Sequence, residues 1–151
     1  MAETLPPIAE LMPHEGPMCL LDRLVAAADE SLVAEVVVPQ DGMFSRDGGV
    51  GAWVGIEYMA QAVAAWAGWN GRKTGQAPRI GFLLGTRRYR SVPRFAAGQH
   101  LQIEIRRTYQ ADNGLGQFDC RIVHGEAELA SAQITVFGPE DPSELLKGET
   151  A

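Results

Sequence analysis

The sequence predicts an α+β domain in which a curled antiparallel sheet wraps one long, buried helix. Residues 52–69 form an alanine-rich, almost wholly apolar run that contains no proline. Stretches of alternating or β-branched residues lie on both sides of that run. A helix that is apolar on every face must be buried on most sides, so the strands are expected to curl around it.

The composition is that of one globular domain. The chain has 151 residues, of which 46% are hydrophobic and 21% are charged, which is enough for a single well-formed core. We therefore predict one domain over residues 1–151. The formal net charge of −6 argues against a nucleic-acid-binding protein, because binding to a phosphate backbone needs a basic face.

The N-terminal residues contain no basic region followed by an apolar run, and no stretch has the roughly 18 uninterrupted apolar residues of a membrane span. Cys19 and Cys120 are too few for a disulfide framework and fit no metal-ligand spacing. We expect buried thiols in a reducing compartment. The prediction is a cytoplasmic protein without a membrane span, a metal or a bound cofactor.

A short helix and a hairpin are predicted before the long helix. Residues 8–12 are amphipathic and follow two prolines, which favours one or two helical turns. Residues 18–25 and 31–38 are apolar runs separated by a polar patch, a pattern that indicates an antiparallel hairpin. Residues 39–51 contain four glycines and are expected to be irregular.

Strand patterns dominate the chain after the long helix. A polar loop is expected over residues 70–78. Four strands follow, at residues 79–88, 99–110, 116–124 and 126–137. Asp112-Asn113-Gly114 and His124-Gly125 indicate turns between the last three strands, and residues 138–151 are expected to form a loose tail.

Three blocks of the sequence carry a family resemblance: residues 11–24 (LMPHEGPMCLLDRL), 55–61 (GIEYMAQ) and 87–101 (RRYRSVPRFAAGQHL). They resemble the hotdog-fold 3-hydroxyacyl-acyl carrier protein dehydratases of fatty acid and polyene synthesis. The matching family motifs are Leu-Pro-His-x-x-Pro-x-Leu-Leu-x-Asp-Arg, Glu-Ala-Met-Ala-Gln on the central helix, and a basic strand followed by Pro-Gly-Asp-x-Leu. The likeness is greatest to the divergent branch found beside carrier proteins in aryl polyene-type gene clusters.

This resemblance implies a hotdog fold that pairs as a double-hotdog dimer, with two central helices side by side beneath a continuous sheet. It implies that the substrate is an acyl thioester held on the phosphopantetheine of acyl carrier protein. It also places Glu57 at the family's helix glutamate. The family's usual histidine lies fourteen residues earlier, where this chain has Met43, followed by Phe44.

Glu57 is also the best catalytic candidate on chemical grounds, because it is the only residue in the apolar run 52–69 that is charged at neutral pH. A carboxylate there is suited to removing a proton from C2 of an acyl thioester. Gln61 lies one turn further on and is expected to orient Glu57 or a water molecule. The alternative is a structural network, in which Glu57 caps buried hydrogen bonds and Gln61 is a packing amide.

The second catalytic candidate is His14, the histidine of the first family-like block, with a structural role as the alternative. His100 and His124 are expected at the surface. For substrate binding we predict Met43, Phe44, Gly51, Trp53 and Gln61. A glycine-rich approach to the helix lets backbone N–H groups come close to a thioester oxygen, and Trp53 is interpreted either as a core residue, like Trp66 and Trp69, or as part of an acyl tunnel.

Arg87, Arg88 and Arg90, with Arg94 nearby, form a local excess of positive charge in an acidic chain. Acyl carrier proteins are acidic and carry a phosphate, so a basic rim would steer them toward the site. The three arginines are therefore predicted to bind carrier protein. An ordinary solvated strand face is the alternative.

Three functions remain open from the sequence. The first is a 3-hydroxyacyl-carrier-protein dehydratase, and the second is a catalytically impaired hotdog subunit that partners a competent dehydratase. The third is an acyl thioesterase, in which Glu57 would activate water. We expect a homodimer or higher oligomer, or a heteromer with another hotdog dehydratase, because one curled sheet cannot cover an all-round apolar helix.

Overall fold

The fold consists of one long helix, a large antiparallel sheet and a small antiparallel sheet. The structure is a computed structural model that describes residues 5–12, 16–73, 75 and 82–138, with only the backbone at position 82. The helix α1 spans Ala52–Lys73, and two 3-10 helices span Ile8–Leu11 and Gly16–Met18. The strands are β1 (Arg23–Ala27), β2 (Ser31–Val37), β3 (Ser45–Arg46), β4 (Gly49–Gly51), β5 (Phe82–Ser91), β6 (Arg94–Ala96), β7 (His100–Gln110), β8 (Leu115–His124) and β9 (Ala127–Phe137).

The large sheet has six strands in the order β1-β2-β7-β8-β9-β5, with every neighbouring pair antiparallel. Its first two strands are the predicted hairpin, in which Arg23 pairs with Glu35 and Ala27 with Leu32. Strands β3, β4 and β6 form the small sheet beside the start of α1. The predicted α+β class is confirmed.

The core lies between α1 and the inner face of the large sheet. Alternate residues of the central strands point inward and are buried, as the two-residue period of a strand requires. These inward residues include Leu101, Ile103, Ile105, Phe118, Cys120, Ile122 and Ile134. Burying one large apolar side chain of this kind stabilises the fold by about 1.5–3 kcal/mol relative to leaving it exposed to water. These contacts hold the helix against the sheet.

One face of α1 is not covered by the sheet. Side chains three and four residues apart are half-buried or exposed along the whole helix: Trp53, Ile56, Glu57, Ala60, Ala64 and Ala67. The opposite face contains the buried residues, among them Met59, Ala62 and Trp66. A second subunit would fit this uncovered face, and the dimer itself stays a prediction.

The helix is longer than the sequence predicted, because it continues through the polar residues Asn70 to Lys73 that were expected to form a loop. Asn70 Nδ2 donates to the Trp66 carbonyl oxygen at 3.1 Å. Arg72 and Lys73 form ion pairs with Glu10 and Asp29. Cations at a helix C-terminus also complement its dipole, so polar residues extend the helix here.

The other differences concern the short strands. Residues 39–51 are not wholly irregular, because β3 and β4 form within them, and β6 was not predicted. Gly49 permits this pairing, since a Cβ atom there would overlap the carbonyl oxygen of Phe95 on β6. The first strand begins at Arg23 rather than near residue 18, because residues 16–18 form a 3-10 helix. The predicted tail beyond residue 138 lies outside the described residues.

Candidate functional site

Glu57 and Gln61 meet on α1, as their spacing of one turn predicted. Gln61 Nε2 donates a hydrogen bond to Glu57 Oε1 at 3.1 Å. The Gln61 side chain is fully buried at 0% exposure, whereas Glu57 is half-buried on the uncovered face of the helix. The hydrogen bond from Gln61 therefore orients the Glu57 carboxylate on the half-buried part of the helix surface.

Gln61 also joins the helix to the segment that leads into β1. The Leu20 N–H donates to Gln61 Oε1 at 2.8 Å, and Gln61 Nε2 donates to the Met18 carbonyl oxygen at 2.7 Å. Together with the bond to Glu57, these contacts use both amide hydrogens and the amide oxygen. Gln61 thus positions Glu57 and a neighbouring loop at once, rather than serving only as a packing amide.

Three of the predicted substrate-binding residues lie together at the start of α1. The rings of Phe44 and Trp53 meet edge to face, with centroids 5.0 Å apart and an interplanar angle of 80°. The Trp53 indole lies beside Gly51, where a Cβ atom would be 3.1 Å from Trp53 Cδ1. Gly51 leaves room for the indole.

Trp53 is not a core residue, so that interpretation was wrong. Its side chain is 59% exposed, because it lies in the first helical turn on the face that the sheet does not reach. Trp66 is buried and donates from Nε1 to the Ala28 carbonyl oxygen at 3.2 Å. Trp69 packs partly against the core, with the Lys73 ammonium 4.1 Å from its ring centroid.

The glycine-rich approach to the helix is more ordered than expected. Gly49 and Gly51 belong to β4 and pair with Ala96 and Arg94 of β6. The Ala52 N–H donates to the Pro93 carbonyl oxygen at 3.2 Å, so this N–H is already engaged and does not serve as a donor to a thioester oxygen.

A cavity of about 260 Å³ lies next to the start of α1 and is lined by three separate segments. Met43 and Phe44, both predicted as substrate-binding residues, form part of its wall. The wall also includes Cys19, Asp22 and Tyr58, which no sequence motif predicted to lie at the site. Of these three, Tyr58 alone could have been suspected from the sequence, because it places a hydroxyl group next to Glu57 in a largely apolar helix.

Tyr58 is only 1% exposed. Its hydroxyl group makes no hydrogen bond with any residue in the described part of the chain. Burial, followed by the nearby Asp22 carboxylate, raises the pKa of Tyr58 to about 12. The same two causes, in the same order, raise the pKa of the Cys19 thiol. At neutral pH both groups therefore keep their protons.

His14 lies outside the described residues, so its predicted catalytic role is untested. His100 and His124 are exposed, as expected, and His124 Nδ1 lies 3.1 Å from the His100 carbonyl oxygen. Within the described ranges, no group of three histidine, cysteine or acidic side chains is placed to hold a metal ion, and no helix is long and apolar enough to cross a membrane.

Arg87, Arg88 and Arg90 are exposed on the edge strand β5. A β-bulge between Arg87 and Arg90 puts Arg88 at a φ of 54°, a left-handed conformation that is uncommon for residues other than glycine. None of the three forms an ion pair with a residue that the structure describes. Five other arginines do: Arg23, Arg72, Arg94, Arg107 and Arg121.

A second, larger cavity of about 600 Å³ is a groove on the outer face of the large sheet, on the side away from α1. Its wall combines Arg88, Arg106 and Arg121 with Glu104, Asp119 and Glu128. Because the two signs of charge balance, the groove favours neither an anion nor a cation.

Comparison with known proteins decides the family. The sequence matches the ApeP-like family, described as ApeP dehydratase, over residues 6–147. The chain belongs to the ApeP dehydratase family. Among solved structures, this ApeP-family chain matches "The Dehydratase Heterocomplex ApeI:P from Xenorhabdus doucetiae" with a TM-score of 0.90 and 30% sequence identity, over 98% of this chain and 100% of that one.

More distant structures share the fold alone. One is a hypothetical thioesterase from Streptococcus pneumoniae TIGR4 solved with coenzyme A, with a TM-score of 0.61 and 15% identity over 77% of this chain and 84% of that one. Another is thioesterase superfamily member 2 from Mus musculus, with a TM-score of 0.57 and 13% identity over 76% and 79%. No curated protein matches the sequence significantly. The hotdog fold and the resemblance to the divergent aryl polyene-type dehydratases are confirmed.

Proposed function

We propose that this ApeP-family chain takes part in the dehydration of 3-hydroxyacyl thioesters carried on acyl carrier protein, with Glu57 as its acid/base group. The observation that carries the proposal is the position of Glu57. It is half-buried on α1 and hydrogen-bonded by Gln61, at the helix position where the related dehydratases have their glutamate, in a chain that matches a dehydratase family over residues 6–147.

The reaction needs a base at C2 and a proton for the leaving group at C3. Removing the C2 proton and expelling the C3 hydroxyl as water forms the C2–C3 double bond of an enoyl thioester. A carboxylate held within reach of C2 is suited to the first task. Gln61 donates a hydrogen bond to one oxygen of Glu57, which orients the carboxylate for this proton transfer.

We further propose that the active unit pairs this chain with a second hotdog dehydratase subunit. Met43 stands where the family's usual histidine is expected and is 58% exposed, so this chain brings no imidazole to that position. The solved relative ApeI:P is a dehydratase heterocomplex. A partner that packed on the uncovered face of α1 would lie directly against Glu57 and would contribute the missing proton donor.

The edge strand β5 offers a second contact for such a partner. It is the last strand of the large sheet, so its outer backbone groups have no neighbour within the described sheet. Leu83 and Leu84 on this strand are 45% and 58% exposed. Exposed apolar side chains on an unpaired sheet edge favour pairing with another chain, and a second hotdog sheet would bury them.

The carrier protein is proposed to dock on the β5 arginines. Arg87, Arg88 and Arg90 are exposed and form no ion pair within the described chain, so their charges remain available to an acidic partner. Most other arginines of the described chain are already neutralised by carboxylates. Charge complementarity of this kind accelerates association and orients the partner.

The proposal is tested by Glu57→Gln, which keeps the shape of the side chain and removes the base. Enoyl thioester formed from 3-hydroxyacyl-carrier protein is measured with the chain alone and with a hotdog dehydratase partner. We expect turnover to fall about a hundredfold or more, the usual scale for losing an acid/base group, while the protein stays folded. Glu126→Gln, in the exposed turn before β9, is the matched control and should leave turnover unchanged.

Other outcomes identify the competing functions. Full turnover of the Glu57→Gln complex would show that the chain is a structural partner of a competent dehydratase. A free acid as the product would show thioester hydrolysis instead. The thioesterases among the solved structures are 15% identical or less to this chain, so their likeness supports the fold and gives hydrolysis no advantage.

A further inference from the structure

Tyr58 carries a buried hydroxyl group that the fold does not use. The side chain is 1% exposed, and no residue within the described part of the chain gives its hydroxyl a hydrogen bond. A buried polar group without a partner destabilises a protein, and most such groups in native structures are satisfied. Phenylalanine would fill the same space without this cost, so the hydroxyl requires an explanation.

The Tyr58 side chain lines the 260 Å³ cavity, whose wall is otherwise mostly apolar, with Leu20, Phe44 and Val54 among its members. A cavity of this volume has room for roughly eight water-sized groups, which is enough for a short acyl fragment. Leu20 links the cavity to the Glu57–Gln61 pair, because it lines the cavity and donates its N–H to Gln61.

Asp22 adds an acceptor to the same cavity. Its Oδ2 atom accepts a hydrogen bond from the Val37 N–H at 2.7 Å, which fixes the carboxylate at the cavity wall. Asp22, Tyr58 and Cys19 all line this cavity, so the carboxylate shares it with both groups. The cavity therefore combines one buried O–H donor with one anionic acceptor.

This combination matches a hydroxyl group better than any other oxygen of an acyl thioester. A hydroxyl both accepts and donates, so it satisfies the Tyr58 O–H and the Asp22 carboxylate together. A carbonyl oxygen only accepts and would be repelled by Asp22, as would a ligand carboxylate.

We propose that this cavity binds the hydroxyl-bearing part of the 3-hydroxyacyl chain, with the Tyr58 O–H donating a hydrogen bond to the substrate hydroxyl oxygen and the Asp22 carboxylate accepting a hydrogen bond from the substrate hydroxyl. The inference rests on the proposed function and adds to it the residues that distinguish a 3-hydroxyacyl group from its product. Tyr58 is a binding residue here, and no proton transfer is assigned to it. A phenol that stays protonated at neutral pH remains a donor throughout.

The test compares two amide analogues of acyl-pantetheine, 3-hydroxybutyryl and butyryl, which differ only in the hydroxyl group. Their dissociation constants are measured for the wild-type full chain, in the assembly in which it purifies, and for Tyr58→Phe. We expect the hydroxylated analogue to bind about tenfold more tightly to the wild type, the scale of one hydrogen bond to a buried partner. The ratio of the butyryl dissociation constant to the 3-hydroxybutyryl dissociation constant should fall to about one in Tyr58→Phe. It should stay at about ten in Tyr109→Phe, a control at an exposed position of β7.

Two further measurements separate binding from a structural role. Tyr58→Phe should melt at the same temperature as the wild type or higher, because it removes an unsatisfied buried group. Alkylation of Cys19 should be slowed by the hydroxylated analogue in the wild type and much less in Tyr58→Phe, whereas the buried Cys120, with its pKa raised to about 12 chiefly by burial, should react slowly throughout.

The outcomes distinguish the inference from the function on which it rests. If both analogues bind equally to the wild type, or if the preference survives in Tyr58→Phe, the assignment of Tyr58 is wrong and the proposed function stands. A melting temperature several degrees below the wild type would show a structural hydroxyl and also overturn the inference. If neither analogue binds the wild type, the proposed substrate class itself is contradicted.

Discussion

At the scale of single residues, two buried side chains of the site differ in how far their hydrogen-bonding groups are satisfied. Gln61 satisfies two backbone groups and holds Glu57. Tyr58, the neighbour of Glu57, has no such bond among the described residues. Gln61 therefore maintains the site, whereas the Tyr58 hydroxyl is the group that we propose to bind substrate. The pairing of Glu57 with Gln61 could be predicted from their spacing, because residues four apart share a helix face whatever surrounds them.

Gln61→Met tests the maintaining role. Methionine preserves the volume and leaves the Met18 carbonyl and the Leu20 N–H without their partner. Both bonds are partly buried, and an unsatisfied buried group costs about 1–3 kcal/mol, so we expect the free energy of unfolding in denaturant to fall by about 1–3 kcal/mol. Gln102→Met, on the exposed face of β7, is the control and should change stability by less than about 0.5 kcal/mol. A Gln61→Met protein as stable as the wild type would show that the hydrogen bonds of Gln61 to Met18 and Leu20 do not contribute to stability.

At the scale of secondary-structure elements, β5 differs from every other long strand. It is an edge strand with an irregular register, exposed leucines near its start and three arginines near its end. The sequence predicted a strand with a basic cluster. The bulge that places Arg88 at a positive φ was not predictable, because a bulge depends on how two strands pair and not on either strand alone.

Replacing the β5 arginines tests the carrier-docking surface. Arg87→Ala, Arg88→Gly and Arg90→Ala are combined, with glycine at position 88 because alanine is strained at a positive φ. We expect carrier protein to bind about tenfold more weakly, with a flatter dependence on salt, because exposed charges act over a Debye length of about 10 Å at 0.1 M salt. Binding is measured by titration at several salt concentrations.

The matched control removes the same amount of charge from arginines that already form ion pairs: Arg23, Arg72 and Arg121. This triple alanine variant should retain most of the carrier affinity. An equal loss in both triple variants would show that net charge, rather than the β5 surface, governs binding.

At the scale of the whole molecule, the chain leaves surfaces uncovered that a soluble monomer would be expected to bury. Met43, Trp53, Leu83 and Leu84 are exposed, and the uncovered face of α1 is apolar apart from Glu57. A second subunit that covers these surfaces is the arrangement that we propose.

Light scattering tests this arrangement. We expect a mass of at least twice the 16.3 kDa of the chain at micromolar concentration, either for the chain alone or after mixing with a hotdog dehydratase partner. Ala60→Glu with Ala64→Glu should lower the assembly to a monomer, because two charges on the uncovered helix face would be buried unpaired. Gln102→Glu on the outer sheet face should leave the mass unchanged. A monomer in both wild-type samples would contradict the dimer and the heteromer alike.

The class of fold, the place of the long helix and the pairing of Glu57 with Gln61 could all be predicted from the amino-acid pattern, because helical and strand periodicities are local properties of the chain. The uncovered face of α1, and with it the exposure of Trp53, became known from the three-dimensional fold, since it depends on where the sheet ends. That fold alone brought Cys19, Asp22, Met43 and Tyr58 around one cavity. These residues come from three separate segments of the chain. Whether the segments lie against one another depends on the path of the chain between them, which no local sequence pattern encodes.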